Sequence, residues 1–312
     1  MLVVDPPASS PRSDLAADLT RHDLTRDDLT RDDVILDDRQ AVIVAEQRDR
    51  GDLLRRVWSA TWPKLAAIVL ALGIWQAVVW SGWKPEYVLP GPPAVFARLG
   101  ELIGDGRVLD AVRTTMGRAL AGFALALLVG VLVGGVVASS RIARSAIGSL
   151  ITGLQTMPSI AWFPLAILLF QLSEGAILFV VVLGAAPSVA NGLISGVDHV
   201  PPILLRAGTM MGARRWSRFR HVVLPASMPA FVGGLKQGWA FAWRSLMAGE
   251  LLVTIGVFSV GYLLQQYRTV TDTEGLIAIM FVILVIGILV DVLVFGTLDK
   301  AVRRRYGLVE GR

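Results

Sequence analysis

Several stretches of about twenty residues carry no charged side chain, a pattern that reads as membrane-spanning helices. Leu65–Trp83 is 19 residues without a charge, bounded by Lys64 and Lys84. As a helix rising about 1.5 Å per residue it covers roughly 28 Å, close to the hydrocarbon thickness of a bilayer. Ala119–Ser140 gives 22 uncharged residues between Arg118 and Arg141. Ser145–Ser173 gives 29, interrupted by Pro158 and Pro164 and carrying Gln155 and Gln171. Gly175–Val197 is uncharged but contains Pro187 and Asn191. From Val222 to Tyr267 the charged residues are Lys236, Arg244 and Glu250, and the run is read as one span, Pro229–Leu252, then a short re-entrant or interfacial segment. Gly275–Leu298 is the last span. The pattern predicts an all-α membrane protein with six transmembrane helices.

Finer features refine these spans. Trp62 precedes the first, and Trp80 and Trp83 lie at its far end, as expected of interfacial anchors. A Pro- and Gly-rich connection (Pro85, Pro90, Gly91, Pro92, Pro93) leads into a short helix around Val95–Ile103. Gly130 and Gly134 stand at the small-xxx-small spacing that lets another helix approach closely, within one subunit or between two. The third span is irregular, and broken backbone at membrane depth is tolerated only against protein or a water-filled cavity. That span is expected to line something.

Composition agrees. Hydrophobic residues make up 54% and charged residues 18%, against about 25% charged in an ordinary soluble domain. Mean hydropathy is +0.60. A soluble enzyme is excluded. The net charge of +5 conceals an asymmetry, because residues 1–50 hold 12 acidic and 7 basic side chains. The remaining chain is basic, with its charge in short segments between apolar runs, as on a cytoplasmic membrane face rather than a nucleic-acid surface. A seventh span would send Lys300 and Arg303–Arg305 outside, against the positive-inside rule. Six spans keep both termini, Arg141, Arg144 and the 198–221 loop inside. No cysteine occurs, which removes disulfides, thiolate metal sites and cysteine catalysis.

Residues 1–57 read as an acidic N-terminal tail, expected to be disordered or loosely helical, in which Asp-Leu-Thr-Arg recurs from Asp18, Asp23 and Asp28. Three copies are too few to stack as a solenoid, and no cleavable signal peptide is expected. Residues 41–57 are compatible with a short amphipathic surface helix placing Leu53, Leu54, Val57 and Trp58 on one side. The membrane domain is assigned to 58–305 and a C-terminal tail to 306–312.

The 198–221 loop carries the most information. Ile203, Ala207, Met210 and Met211 fall near helical spacing, and Gly212 follows as a natural C-terminal stop. A second short helix places Trp216, Phe219 and Val223 on one side, with Arg214, Arg215, Arg218 and Arg220 elsewhere, and Pro225 is expected to end it. Spacing alone allows two uses: an elbow that docks on a partner, or a basic loop resting on anionic headgroups.

Arg206-Ala207-Gly208, three residues, Gly212, nine residues, then Val222-Val223-Leu224-Pro225 resembles the cytoplasmic EAA loop of ABC importer permeases. Ala207, Gly212, Leu224 and Pro225 match the family pattern in register, while Arg206 stands for its Glu and Gly208 for its second Ala. The similarity extends over roughly residues 110–300. Leu154–Pro158 with Ala161-Trp162 and Pro164-Leu165, and Pro225–Pro229 with Gly234-Leu235, Trp243 and Glu250, resemble the nitrate/sulfonate/taurine branch.

The resemblance implies a division of labour. The permease forms the path in the bacterial plasma membrane, and a second copy pairs with it as a homodimer. Two cytoplasmic ABC ATPase subunits bind ATP and Mg, and an extracytoplasmic binding protein delivers a small anionic solute. The coupling loop, 198–225, would present Arg206, Ala207, Gly208, Gly212, Arg214, Trp216, Phe219, Leu224 and Pro225. No cofactor is expected in this chain, which has no GxxxxGK[ST] loop.

Rival classes leave fewer traces. An intramembrane enzyme would show HExxH, GxSxG or paired aspartates. Instead His22, His199 and His221 are scattered, Asp291 is the only Asp in a span, and neither catalytic nor metal-ligating residues are assigned. An ion-coupled carrier or channel is the remaining alternative, although paired half-repeats and proton-relay carboxylates are not evident. Lys236, Arg244 and Glu250 would each cost about 2.5–3.5 kcal/mol facing lipid at mid-membrane. They are therefore expected to face the bundle interior or a dimer interface. Arg244 is a candidate for attracting an anion, or for a structural pairing with Glu250, and Lys236 for snorkelling to the surface. Gln155, Pro158 and Trp162 complete the candidate path.

Overall fold

The computed structural model describes Trp58, Ser59, residues 61–253 and residues 256–306. The acidic tail and its repeats, the 41–57 segment apart from its neighbour Trp58, and the end of the C-terminal tail lie outside these residues. Contacts divide the chain into a unit ending at Ile74 and a unit beginning at Trp75. In the first, residues 61–74 are helical and open α1 (Thr61–Trp80).

The second unit, among the described residues, contains helices and connections but no strand. The end of α1 is followed by a turn in which Gly82 has φ +67°. Trp83 therefore lies beyond the helix, not within the span as expected, and its ring sits 5.3 Å from the Lys84 ammonium. α2 (Pro92–Gly104) covers the short helix expected there. α3 (Arg107–Ser139) begins 12 residues before the apolar run, so Arg118 is inside a helix instead of marking a span boundary.

The long third run is two helices. α4 (Arg141–Thr156) starts on a Ser140 cap, whose hydroxyl accepts from the Ala143 N–H at 3.3 Å. Pro158 disfavours helical backbone at the residue before it, and Met157 is extended with φ −72° and ψ 134°. A 3₁₀ turn (Ser159–Trp162) then leads into α5 (Phe163–Phe170), with Pro164 in its first turn where a missing N–H costs little. The two halves meet at 104°.

α6 (Glu174–Asp198) is the spine of the bundle, with α3 on one side and α9 (Leu224–Leu252) on another. Small residues make this approach possible. A Cβ on Gly130 would fall 2.7 Å from Val189 Cβ, and one on Gly134 3.0 Å from the Ala190 backbone, so the small-xxx-small contact lies within one chain. Gly192 meets Gly234 backbone to backbone, where an added Cβ would come within 2.5 Å of the Gly234 Cα. Phe163, Ile177, Val181, Trp239, Ala242 and Leu246 fill the core around these helices.

Between α6 and α9 lie α7 (Pro202–Met210) and α8 (Arg215–Arg218). α8 runs through a π-helical turn, Phe219–Val223, directly into α9. Pro225 thus does not end the second short helix. It sits in the first turn of α9, and the wide turn just before it accommodates a ring that interior α-helical geometry would resist.

α10 (Val260–Thr269) and α11 (Thr273–Val290) close a second core with α2, built on Val95, Leu102, Leu263, Tyr267 and Ile279. Asp272 caps α11 by accepting from the Gly275 N–H at 2.8 Å and also pairs with Arg98 at 2.9 Å. Hydrogen bonds to Glu101 and then to Asp272 hold the Arg98 guanidinium above its ordinary pKa. A second π-helical turn at Asp291–Phe295 leads from α11 into α12 (Gly296–Arg305).

Four helices are long and apolar enough to cross a membrane: Thr61–Trp80, Arg107–Ser139, Glu174–Asp198 and the continuous Thr273–Arg305. The bent pair α4–α5 makes a fifth if it is one span. α9, with 29 residues, is long enough but is too polar to join them.

Candidate functional site

The elbow is built by a helix stop and a close packing contact. Gly212 adopts φ +79°, the left-handed region that glycine enters at little steric cost. Its N–H donates to the Thr209 carbonyl at 3.0 Å, and the Ala213 N–H reaches back to the Gly208 carbonyl at 2.9 Å. These two bonds are the Schellman pattern that closes an α-helix. Gly208 is buried against the following turn, where a Cβ would fall 3.0 Å from Val222 Cγ2. A second Ala of the family motif would crowd that turn, so glycine is accounted for here.

The elbow presents different groups on its flanks. Arg206, Ala207 and Arg214 are exposed, and the apex carries Met210 and Met211 at 88% and 86% exposure. Trp216 and Phe219 stack with centroids 5.8 Å apart. They share one side as expected, but Arg218 lines the same groove as they do. Leu224 and Pro225 belong to the start of α9, and Pro225 lines a cavity of about 480 Å³ with Ala207, Gly208, Met211 and Tyr306.

The candidate path residues fall in four places. Arg244, Gln155 and Pro158 line one cavity of about 350 Å³, at the break between α4 and α5. Arg244 is exposed, its guanidinium lies 5.5 Å from the Phe241 ring centroid, and it makes no ion pair among the described residues. Gln155 donates to Ser188 Oγ at 3.1 Å and accepts from Asn191, both on α6. Gly184, ten residues into the 25-residue α6, lines the same cavity, which puts Arg244 near the middle of the bundle.

Lys236 lies elsewhere, pairing with Asp291 at 3.1 Å, both side chains about half exposed. Trp162 packs on the main core rather than in the cavity. Glu250 is not paired with Arg244. Six residues of helix turn the two about 120° apart. Its carboxylate is buried and accepts from Arg118 Nη1 at 3.0 Å, Thr115 Oγ1 at 2.9 Å and the Gly261 N–H at 2.9 Å. Thr115 in turn accepts from the Val260 N–H at 2.9 Å, and Arg118 Nε donates to Glu174 at 2.8 Å. One ionic cluster therefore ties α3, α6, α9 and the start of α10.

Sequence reasoning missed Arg118 and Thr115. A charge at the edge of an apolar run reads as a membrane boundary, whereas Arg118 lies inside α3. The available signal was that Arg118, twelve residues into α3, falls on the same helix face as Ala111, Thr115 and Gly122.

The family described as binding-protein-dependent transport system inner membrane component matches residues 119–304. This chain belongs to that family of ABC importer permeases. A protein of Methanocaldococcus jannaschii described as an ABC transporter permease is 31% identical over 232 residues, covering 73% of this chain and 86% of the relative. The taurine transport system permease of Escherichia coli is 25% identical over 242 residues, covering 74% and 87%. The nitrate import permease of Leptolyngbya laminosa is 27% identical over 254 residues, covering 78% and 88%. Among solved structures, the inward-facing MetNI methionine ABC transporter matches with TM-score 0.54 at 18% identity, covering 62% of this chain and 95% of that one. That match concerns the fold. The permease family accounts for several apolar helices in one chain.

Proposed function

We propose that this permease is the transmembrane subunit of an ATP-driven importer in the bacterial plasma membrane, carrying a small anionic solute delivered by an external binding protein. It has six spans, α1, α3, α4–α5, α6, α9 and α11–α12, with both termini and the elbow in the cytoplasm. The arginines at 141, 144 and 303–305 favour that orientation. Polar α9 counts as a span because its 29 residues carry buried positions from Ser227 to Glu250 that pack against other helices.

One observation carries the anion reading: Arg244, a cation at mid-depth with no ion pair among the described residues, lines a cavity formed where α4–α5 breaks. Gly233 and Gln237 are exposed on the same side of α9, at eleven and seven residues before it. Facing lipid, this side would cost about 2.5–3.5 kcal/mol for the arginine alone. A second copy, packed so that two such faces enclose the path, removes that cost. The taurine and nitrate transport permeases among the relatives support a solute bearing an anionic group.

ATP and Mg belong to two partner ATPase subunits, which the elbow engages through its apex. The test is uptake in vesicles containing the assembled transporter. Arg244→Ala should lower uptake of the anion that the binding protein delivers, with subunit assembly intact. Uptake unchanged in an assembled Arg244→Ala transporter would contradict the anion path.

A further inference from the structure

Coupling uses the apex of the elbow and leaves its other flank unexplained. On that flank a groove of about 560 Å³ is lined by Gly135 and Ala138 of α3, Val197 of α6, and Trp216, Arg218 and Phe219. Its walls are mostly apolar. Trp216 is 72% exposed although stacked on Phe219. The groove continues a surface stripe of α3, where Leu125, Leu128 and Leu132 are exposed at helical spacing and Gly135 falls next in line. Nothing lies within 4 Å of the position a Gly135 Cβ would take.

We propose that this groove binds an anionic phospholipid of the inner leaflet. The proposal rests on the orientation given above. An acyl chain lies along the Leu128–Leu132–Gly135 stripe and against the Trp216–Phe219 pair, and the phosphate pairs with Arg218. Three features select lipid over a protein partner. One wall of the groove is α3, a helix long and apolar enough to span a membrane, and the exposed leucines of that helix lead into it. Trp216, with an apolar ring body and an indole N–H, suits the headgroup level, and Phe219 stacks against it. Arginine presents planar donors that match phosphate oxygens, and Arg218 commits only one group, at 3.4 Å, to Thr209. The surrounding charge agrees, because residues 199–225 contain five arginines and no aspartate or glutamate. A lipid held here fixes the elbow at the membrane surface, so anionic lipid tunes coupling.

The test uses the full chain with its ATPase partners, in vesicles of phosphatidylcholine alone or with phosphatidylglycerol, and native mass spectrometry of retained lipid. Wild-type protein should retain phosphatidylglycerol in preference to phosphatidylcholine. Arg218→Gln should weaken that retention about fivefold. Gly135→Phe, which fills the groove without touching a charge, should displace the lipid while ATPase association persists. Equal retention of both lipids, or ATPase loss in Arg218→Gln with phosphatidylglycerol retained, would overturn the proposal. Met211→Cys, labelled by an impermeant maleimide from either side, separates the premises. Labelling only from outside overturns the orientation and the lipid site together. Cytoplasmic labelling without lipid preference overturns the lipid site alone.

Discussion

Arg118 donates to the buried carboxylate of Glu250 at 3.0 Å, joining α3 to the far end of α9. The same guanidinium holds Glu174 at the start of α6, and Glu250 also receives the Gly261 N–H from α10. The two ends of this pair are not equivalent. Removing Arg118 leaves Glu250 buried without its cation, whereas removing the Glu250 charge leaves Arg118 with Glu174. Breaking a buried pair by deleting one partner costs about 3–5 kcal/mol. Arg118→Ala should therefore lower the thermal unfolding temperature in detergent more than Glu250→Gln does. Equal losses would contradict this asymmetry, and no loss in either variant would show that the cluster does not hold these helices.

The α6–α9 contact is a steric prediction. Gly192→Val places atoms where the Gly234 backbone already lies, so the helices must separate. Stable protein should fail to accumulate. Gly117→Ala is the control, since nothing lies within 4 Å of its Cβ direction. It should be neutral or stabilising by up to about 1 kcal/mol. Comparable yields of both variants would contradict the close approach.

Lys236 and Asp291 form a pair whose disruption should be repaired by its own partner. Lys236→Ala leaves an unpaired aspartate between α9 and the turn after α11. Adding Asp291→Asn should restore most of the lost thermal stability. Additive losses in the double variant would exclude a direct interaction.

Deletion of residues 1–50 should leave membrane insertion and uptake near wild type, because the family match starts at residue 119. Quantitative uptake at equal expression checks this. A large loss would assign the acidic repeat a docking role.

Much of this was legible in the residues. Charge-free runs located most of the helices, Pro158 located the break in the third, and the Ala207–Gly212–Pro225 spacing located the elbow. Pairing across helices was not legible. Glu250 and Arg118 are 132 positions apart, and only the fold reveals that they meet. Pro225 misled for a local reason: proline usually interrupts a helix, but a π-helical turn before it lets α8 run on into α9. Arg244 was open to two readings from its position in the run, and the fold turns it away from Glu250 and onto the cavity that Gln155 also lines.

The central claim is that the elbow transmits ATP hydrolysis to the path, and Gly212 tests it most directly. Its φ of +79° would strain any residue with a branched Cβ, so Gly212→Val should re-aim α8 relative to α7 while leaving the spans intact. Asn tolerates that conformation better, and Gly212→Asn should be milder. Gly148→Val, in α4 with open space beside it, is the control outside the elbow. The measurement is ATPase pull-down with ATP-driven uptake in the same membranes. The account predicts that Gly212→Val loses both while Gly148→Val keeps both. Full ATPase binding and full uptake in Gly212→Val would contradict it.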